Sequence, residues 1–503
     1  METAAISRQL DRNLEYLRRR LGVGVTFDVL IREIEIGTRR SALVFVDGFV
    51  KDKVTLDLIE NLQEVRRSEI VPGTMRKLLA RAVPYFEVEE VETLDAVIEQ
   101  VLAGPMALLV DGERTAIVLD VREYPVRGIE EPDLERVTRG SHEGFVETMI
   151  FNTALIRRRL RDPDLRFEVT QVGRRSRTDV AIGYIEGIAD PELVGHIKAR
   201  LARASLDALP MGVKNLEEIL VKEPWNPIPR VRYTERPDVA AAHLLEGHVI
   251  LIVDTTPMAA IVPVTLFHFL EHAEEYFQSP AIGTYLRLIR TAAFAITAFL
   301  TPLWLALYLT GERLPEALSF IGPQEGAGRV PVPLQFLMLE FGIDLIRMAL
   351  IHTPSALATS LGIVGAILLG DLAVQVGLFV PETILYTSIT AIAYFAVPSI
   401  ELGYALRLYR YLLIGLVTLL RIPGLILGIA LGLLVLVTTR SLGRPYLWPL
   451  IPFHGPSLIK TLVRLPVPAV ARRPPVITGT GADRSRTETP GGRGEGAEGD
   501  PAT

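Results

Sequence analysis

Thr291-Ala-Ala-Phe-Ala-Ile-Thr-Ala-Phe-Leu-Thr-Pro-Leu-Trp-Leu-Ala-Leu-Tyr-Leu-Thr310 runs for twenty residues without one acidic or basic side chain. About 20 predominantly apolar residues, wound as a helix, reach across the roughly 30 Å hydrocarbon core of a bilayer. The run opens a longer stretch of the same character: from Thr291 to Thr439 only fourteen of 149 residues are Asp, Glu, Lys or Arg. Before Arg290 the chain has the mixed, charged composition of a water-facing globular region. The chain therefore changes solvent near Arg290. A soluble α/β half followed by an α-helical multi-pass membrane domain is the expected architecture.

The 503 residues suffice for two or three domains, and a mean hydropathy of +0.31 averages two unlike halves. A net charge of −6, with no basic face concentrated in the soluble part, argues against a nucleic-acid partner. The absence of cysteine removes disulfides, thiolate metal sites and cysteine nucleophiles. Residues 1–20 hold Arg8, Asp11, Arg12, Glu15 and Arg18 to Arg20, and lack the apolar centre of a secretory signal. With Arg287 and Arg290 just before the first apolar run, the N-terminal region is expected to face the cytoplasm.

The soluble half divides at about residue 140. In residues 1–140, Ala42 to Val46, Ala107 to Val110 and Thr115 to Val121 read as strands, the first two closed by Asp47-Gly48 and Asp111-Gly112 turns. Helical pattern lies at Asp57 to Arg66, Thr74 to Arg81 and Thr93 to Leu102. In residues 141–285, helices are expected at Glu143 to Arg159, Pro191 to Leu206 and Pro237 to Leu245. Strands are expected near Phe167 to Val172, Asp179 to Ile185, His248 to Val253 and Ala259 to Pro263.

The membrane domain, 286–440, contains apolar runs at Ala292 to Leu309, Val332 to Ile351, Ala356 to Val380, Thr383 to Ile400 and Leu406 to Thr438. The last is interrupted by Arg421-Ile-Pro-Gly424, and reads as one tilted helix, a kinked helix or a re-entrant pair. Arg407 and Arg410 at its start, and Arg440, Arg444, Lys460 and Arg464 after it, put both flanks on the cytoplasmic side, so four to six crossings are expected. A cytoplasmic membrane-flanking segment, 441–470, and a disordered tail, 471–503, complete the chain.

Polar groups in apolar helices are costly and so informative. Glu340, Asp344 and Arg347, spaced i, i+4, i+7, share one helical face. An internal Asp344–Arg347 ion pair and a pore-lining or gating stripe are the two readings of that face. Asp371 lies inside an apolar run, where an unpaired carboxylate costs a few kcal/mol on insertion scales. Pairing with Arg347 or Arg421 and service in an ion path are its alternatives. Gly362 and Gly365, and Gly424, Gly428 and Gly432, form small-residue faces suited to close helix packing.

Catalytic signatures are sparse. His268-Phe-Leu-Glu271-His272 spells one zinc-peptidase motif, but without a third ligand it reads as an amphipathic juxtamembrane helix bearing solvated His and Glu. The soluble half contains no phosphate-binding glycine loop and no Ser-His-Asp signature. A non-enzymatic protein with no metal and no cofactor is expected.

Trp225-Asn-Pro-Ile-Pro-Arg-Val-Arg-Tyr-Thr-Glu-Arg-Pro-Asp238 followed by Val239-Ala-Ala-Ala-His-Leu-Leu-Glu-Gly-His-Val-Ile-Leu-Ile-Val-Asp254 is the most distinctive stretch. It reads as an extended lead-in, a helix with Thr234 as N-cap, Pro237 in its first turn and Asp238 near its positive end, then a buried strand. Residues Thr234, Glu235, Arg236, Pro237 and Asp238 are read as a structural elbow between the soluble and membrane parts. This stretch resembles the A-subunit family of bacterial spore germination receptors, the GerA family. Further likeness lies in Leu209-Pro-Met211, His272-Ala-Glu-Glu-Tyr276, Asn152-Thr-Ala-Leu-Ile-Arg157, Val172-Gly-Arg-Arg-Ser176, Tyr184-Ile-Glu-Gly-Ile-Ala189, Gly362-Ile-Val-Gly365, Thr390-Ala-Ile-Ala393 and Pro445-Tyr446. Within the family the likeness is greatest to a stage V sporulation branch. At Gly370-Asp-Leu-Ala-Val374 the chain departs from the family's Gly-Gln-Ala-Ala-Val, so the resemblance assigns Asp371 no role.

The resemblance implies a multi-pass protein of the endospore inner membrane. Its subunits would assemble as a homo-oligomer, a pentamer, around a path for monovalent cations, with other spore germination membrane proteins as partners. Glu340, Asp344, Arg347 and Asp371 are the expected path or gate. A non-conducting docking scaffold is the alternative. A secondary transporter, which would show an internal repeat and paired broken helices, is disfavoured by the single break at Arg421 to Gly424.

Overall fold

In the computed structural model the described residues are 4–50, 52–65, 87–122, 132, 135–221, 223, 225–311, 321, 329–352, 377–469 and 473–478. The chain divides into two compact units. The first takes Met1–Lys222, Tyr233–Pro263 and Pro466–Thr503, the second Glu223–Arg232 and Val264–Leu465. The division thus falls at Pro263/Val264 rather than near residue 285, because residues 264–285 bond into the helical unit. Leu266 N donates to the Tyr446 carbonyl, and the Glu275 carboxylate receives Arg287 and Arg290.

The first unit opens with α1, Leu10–Leu21, whose Leu10, Leu14, Leu17 and Leu21 form one buried stripe. Gly22 ends it at φ 67°, and a Cβ there would lie 2.6 Å from Arg166 Nε, so both the turn and the neighbour demand glycine. Strands β1, Val29–Ile36, and β2, Arg39–Val46, form a hairpin through Gly37 and Thr38, both at positive φ. Then come α2, Asp52–Glu64, β3, Val88–Val91, α3, Leu94–Ala103, capped by the Thr93 side chain, β4, Met106–Val110, and β5, Ala116–Leu119. The antiparallel sheet has the order β1-β2-β4-β5-β3. Alternation along β2 and β4 sends Val44, Val46, Ala107 and Leu109 to the face covered by α1 and α3, and Leu43, Phe45 and Leu108 to the face under α2.

The second sheet is built from α4, Met149–Arg159, β6, Leu165–Val172, β7, Thr178–Ile185, α5, Pro191–Arg203, α6, Val213–Leu220, β8, Arg232–Thr234, α7, Pro237–Leu245, β9, Val249–Val253, and β10, Ala259–Val262. Its order, β6-β7-β9-β10-β8, repeats the first. The repetition reaches single hydrogen bonds. Asn13 exchanges two with the Ser7 backbone, as Asn152 does with Val146. Asp111, just after β4, accepts from Leu10 N at the start of α1, and Asp254, just after β9, accepts from Met149 N at the start of α4. Gly112 N donates to the Arg8 carbonyl and Thr255 N to that of Glu147. Arg157 of α4 fastens the two halves: its guanidinium pairs with Asp28, bonds the Leu165 carbonyl and lies over the Phe167 ring, with Arg157 and Asp28 both 1 % exposed.

Several expectations need correction. The helix placed from Glu143 begins at Met149, because Asn152 folds the preceding residues back into a turn. Strands β1, β3 and β8 and helices α1 and α6 were not foreseen, while Thr74 to Arg81 lies outside the described residues. Thr234 is not the N-cap of α7. It sits in β8 and its hydroxyl donates to Glu135, leaving Arg236 at the cap position and Pro237 as the first helical residue. The tail is not wholly structureless: Pro475–Thr478 is one helical turn, with Ile477 fully buried.

In the second unit the His268 to His272 stretch is not one helix. A short 3-10 turn, Leu266–Phe269, ends before Glu271, and α8, Glu274–Phe277, begins after His272. Each imidazole Nδ1 accepts a local backbone N–H, from Thr265 and Glu274 respectively, so both histidines serve as caps. The main helices are α9, Pro280–Thr310, α10, Val332–His352, α11, Pro381–Ala396, α12, Ile400–Leu420, and α13, Ile422–Thr438, followed by α14, Gly455–Leu462. The ambiguous last tract is two helices parted at Arg421, whose φ of 57° breaks the helical path and whose successor Pro423 cannot continue it. Among the described residues two helices, α9 and α12, are long and apolar enough to cross a membrane, fewer than the four to six crossings expected. Helix α10 is long enough but carries three charges, and α13 has 17 residues; most of Ala356 to Val380 lies outside the described residues.

Candidate functional site

Within the apolar helices of the second unit, apart from the Glu275 cluster already described, lies a layer of charge. Its residues come from four helices. Glu340 and Asp344 lie one turn apart on α10, and Arg407 and Arg410 lie one turn apart on α12, so two carboxylates face two guanidiniums at matching spacing. Arg410 Nη2 donates to Glu340 Oε2, with both side chains 1 % exposed, and Arg410 Nη1 donates to the Thr297 carbonyl of α9 at 2.6 Å. Arg407 pairs with Asp344, whose second oxygen accepts the Tyr411 hydroxyl at 3.0 Å. Arg347 turns to aromatic faces instead: its guanidinium lies 4.0 Å from the Tyr394 ring centre and 5.3 Å from that of Phe395. Arg407 lies 4.6 Å from the same Tyr394 ring.

The layer is not fully satisfied. Glu340 Oε1, Arg347 Nη2, Arg410 Nε and the hydroxyls of Thr297 and Thr301 are buried without a hydrogen-bond partner. Three arginines stand against two carboxylates in this layer, a formal excess of one basic side chain. Such a layer is poised: each pair is strong only while both members stay in place.

The expected internal Asp344–Arg347 pair does not form. Arg407 reaches Asp344 from the neighbouring helix, and Arg347 lies instead against the Tyr394 and Phe395 rings of α11. Arg407 and Arg410 were read as a cytoplasmic flank; they lie two to three turns inside α12 and are buried. The signal available for them was the complementary spacing with Glu340 and Asp344. Asp371, Gly362 and Gly365 lie outside the described residues. Gly424, Gly428 and Gly432 face α12: added Cβ atoms would run into the Leu416 carbonyl, the Leu413 side chain and, at 2.6 Å, the Tyr409 hydroxyl. That hydroxyl donates to the Gly428 carbonyl at 3.0 Å.

In the first unit Thr234 to Asp238 forms a hydrogen-bonded knot. The Arg236 guanidinium, fully buried, bonds the Asp238 carboxylate and the carbonyls of Glu135 and Ser141, while Glu235 N donates to Glu135. Nothing in this knot resembles a reacting pair; it ties α7 and β8 to the segment before α4.

The sequence matches the Bacillus/Clostridium GerA spore germination protein family over residues 15–476. It is 43 % identical to stage V sporulation protein AF of Bacillus subtilis (strain 168), over 95 % of this chain and 96 % of that one. Spore germination protein B1 of the same organism is 30 % identical over 93 % of this chain and 97 % of its own, and spore germination protein GerLA of Bacillus cereus 31 % over 90 % and 92 %. A crystal structure of the N-terminal domain of the A subunit of the Bacillus megaterium spore germinant receptor GerK3 aligns at 26 % identity and TM-score 0.42, covering 52 % of this chain and 98 % of that domain.

Proposed function

The chain belongs to the Bacillus/Clostridium GerA family of spore germination proteins, and from that premise we propose that it is a non-enzymatic, multi-pass subunit of the endospore inner membrane. Copies of it would form an oligomer around a path for monovalent cations, working with other germination membrane proteins. The observation that carries this reading is the charge layer. Apolar helices keep ionised side chains only where those serve packing or passage, and here two interhelical pairs join α10 to α12 beside unpartnered hydroxyls. Glu340–Arg410 and Asp344–Arg407 act as a latch: closed, they neutralise the carboxylates; parted, they expose them to a passing cation. Asp371 is assigned to the same path on its sequence position.

A second reading has its own support. In the structure described both carboxylates are already paired with arginines, as in a scaffold that conducts nothing and only docks partners. Cation efflux from liposomes containing the full chain separates the two. The latch reading expects Glu340→Gln or Arg410→Gln, recovered in wild-type amounts, to raise potassium leak at least about tenfold, the effect of lowering a barrier by roughly 1.4 kcal/mol. Liposomes that stay tight with wild type and both variants would remove the conducting role.

A further inference from the structure

One end of the helical unit carries a belt of exposed aromatic and apolar side chains. Trp225 is 95 % exposed, the extreme among large hydrophobic residues described. It is held beside the C-terminal end of α13, since the neighbouring Asn226 amide donates to the Thr439 hydroxyl at 3.1 Å. Thr439 also accepts, through its carbonyl, the N–H of Tyr446, which opens the segment leading to α14. Along that segment Leu450, Ile451 and Phe453 are exposed, Phe453 by 74 %, and Ile459 projects from α14. The far end of α14 is pinned to the first turns of α9: Arg287 donates to the Lys460 and Thr461 carbonyls, and Arg464 N to the Thr284 hydroxyl. Tyr285, on those first turns, is 63 % exposed. The end of one apolar helix and the start of another therefore meet at a single rim, which also bears Arg440 and Lys460.

Water gives these side chains no reason to be outside, and a bilayer does. Indole and phenol rings favour the level of the lipid headgroups, and basic residues beside an apolar surface complement anionic lipid. We propose that Trp225 and the Leu450–Ile459 segment form an interfacial lipid-binding belt, seated at the headgroup–acyl boundary and contacting anionic phospholipid. This rests on the membrane reading above and adds to it a surface and a depth.

The chain has no cysteine, so a single introduced thiol is unique. Spin labels placed by Trp225→Cys, Phe453→Cys and, for comparison, Leu56→Cys on the exposed side of α2 are read on the full chain in vesicles of phosphatidylcholine with and without phosphatidylglycerol. The belt predicts an oxygen-to-nickel-chelate collision ratio several-fold higher at 225 and 453 than at 56, with a further rise in the anionic vesicles. Carbonate-resistant protein whose labels at 225 and 453 match that at 56 would overturn the belt while leaving membrane insertion standing. Labels shielded from both reagents in every lipid would assign the surface to a protein neighbour and overturn it too. A chain extracted from the vesicles by carbonate would sink the membrane reading and the belt together.

Discussion

Removing one half of the Glu340–Arg410 pair should cost far more than removing both. Each side chain is 1 % exposed, and Arg410 alone also bridges to the Thr297 carbonyl of α9. Glu340→Leu strands a buried guanidinium and Arg410→Met strands a buried carboxylate; either loss is worth about 3–5 kcal/mol when a buried pair is broken. The double variant places two apolar side chains of similar length in an apolar surround. It should fall within about 2 kcal/mol of wild type, the remainder being the Thr297 carbonyl's lost partner. Four unfolding curves, for wild type, the two single variants and the double, give the coupling directly: detergent-solubilised full chain titrated with dodecyl sulfate and followed by far-ultraviolet circular dichroism. Summing the single losses at their lower bounds and subtracting the double leaves a non-additivity of roughly 4 kcal/mol or more. Unfolded helices in detergent find substitute partners, so a value somewhat below that still supports a dry pair. Additive losses, or single variants within about 1 kcal/mol of wild type, would mean that water reaches the pair and that the latch argument is wrong.

In the first unit, Arg157→Met leaves Asp28 buried beside Thr26 without its cation, and should destabilise by about 3–5 kcal/mol. Thermal unfolding of the full chain, with protease nicking between the two sheets as the local readout, checks this; unchanged nicking would show that Arg157 does not clasp the halves. At the helix break, Gly424→Val drives a side chain into the Leu416 carbonyl and should cost about 1–3 kcal/mol in the dodecyl sulfate titration. Gly415→Ala, where the added methyl meets nothing within 4 Å, should be neutral or stabilising by up to about 1 kcal/mol; equal losses at both positions would argue against close packing of α12 on α13.

Local signals carried much of this architecture. The β9 run Val249–Val253 and the Pro237–Leu245 helix follow from hydrophobic run length and from proline at a helix start, which are properties of neighbouring residues. The edge strand β1 was invisible because exposed Arg32, Glu33 and Glu35 interrupt its apolar pattern, leaving Val29 to pack on one face and Ile34 and Ile36 on the other. The charge layer was half legible. Glu340 and Asp344 stand out against apolar neighbours, whereas Arg407 and Arg410 imitate the basic flank of a membrane helix, and only the start of α12 at Ile400 moves them inside. Which carboxylate meets which guanidinium depends on helix packing. No spacing within one segment encodes it.

The matched strand orders, with Asn13 and Asn152, and Asp111 and Asp254, bonding equivalent backbone groups in both sheets, make each sheet a structural control for the other. A side chain retained in both, such as these Asn and Asp, is there to build the scaffold. The Asp28–Arg157 clasp differs in kind, because it joins one sheet's flank to the other instead of recurring in each.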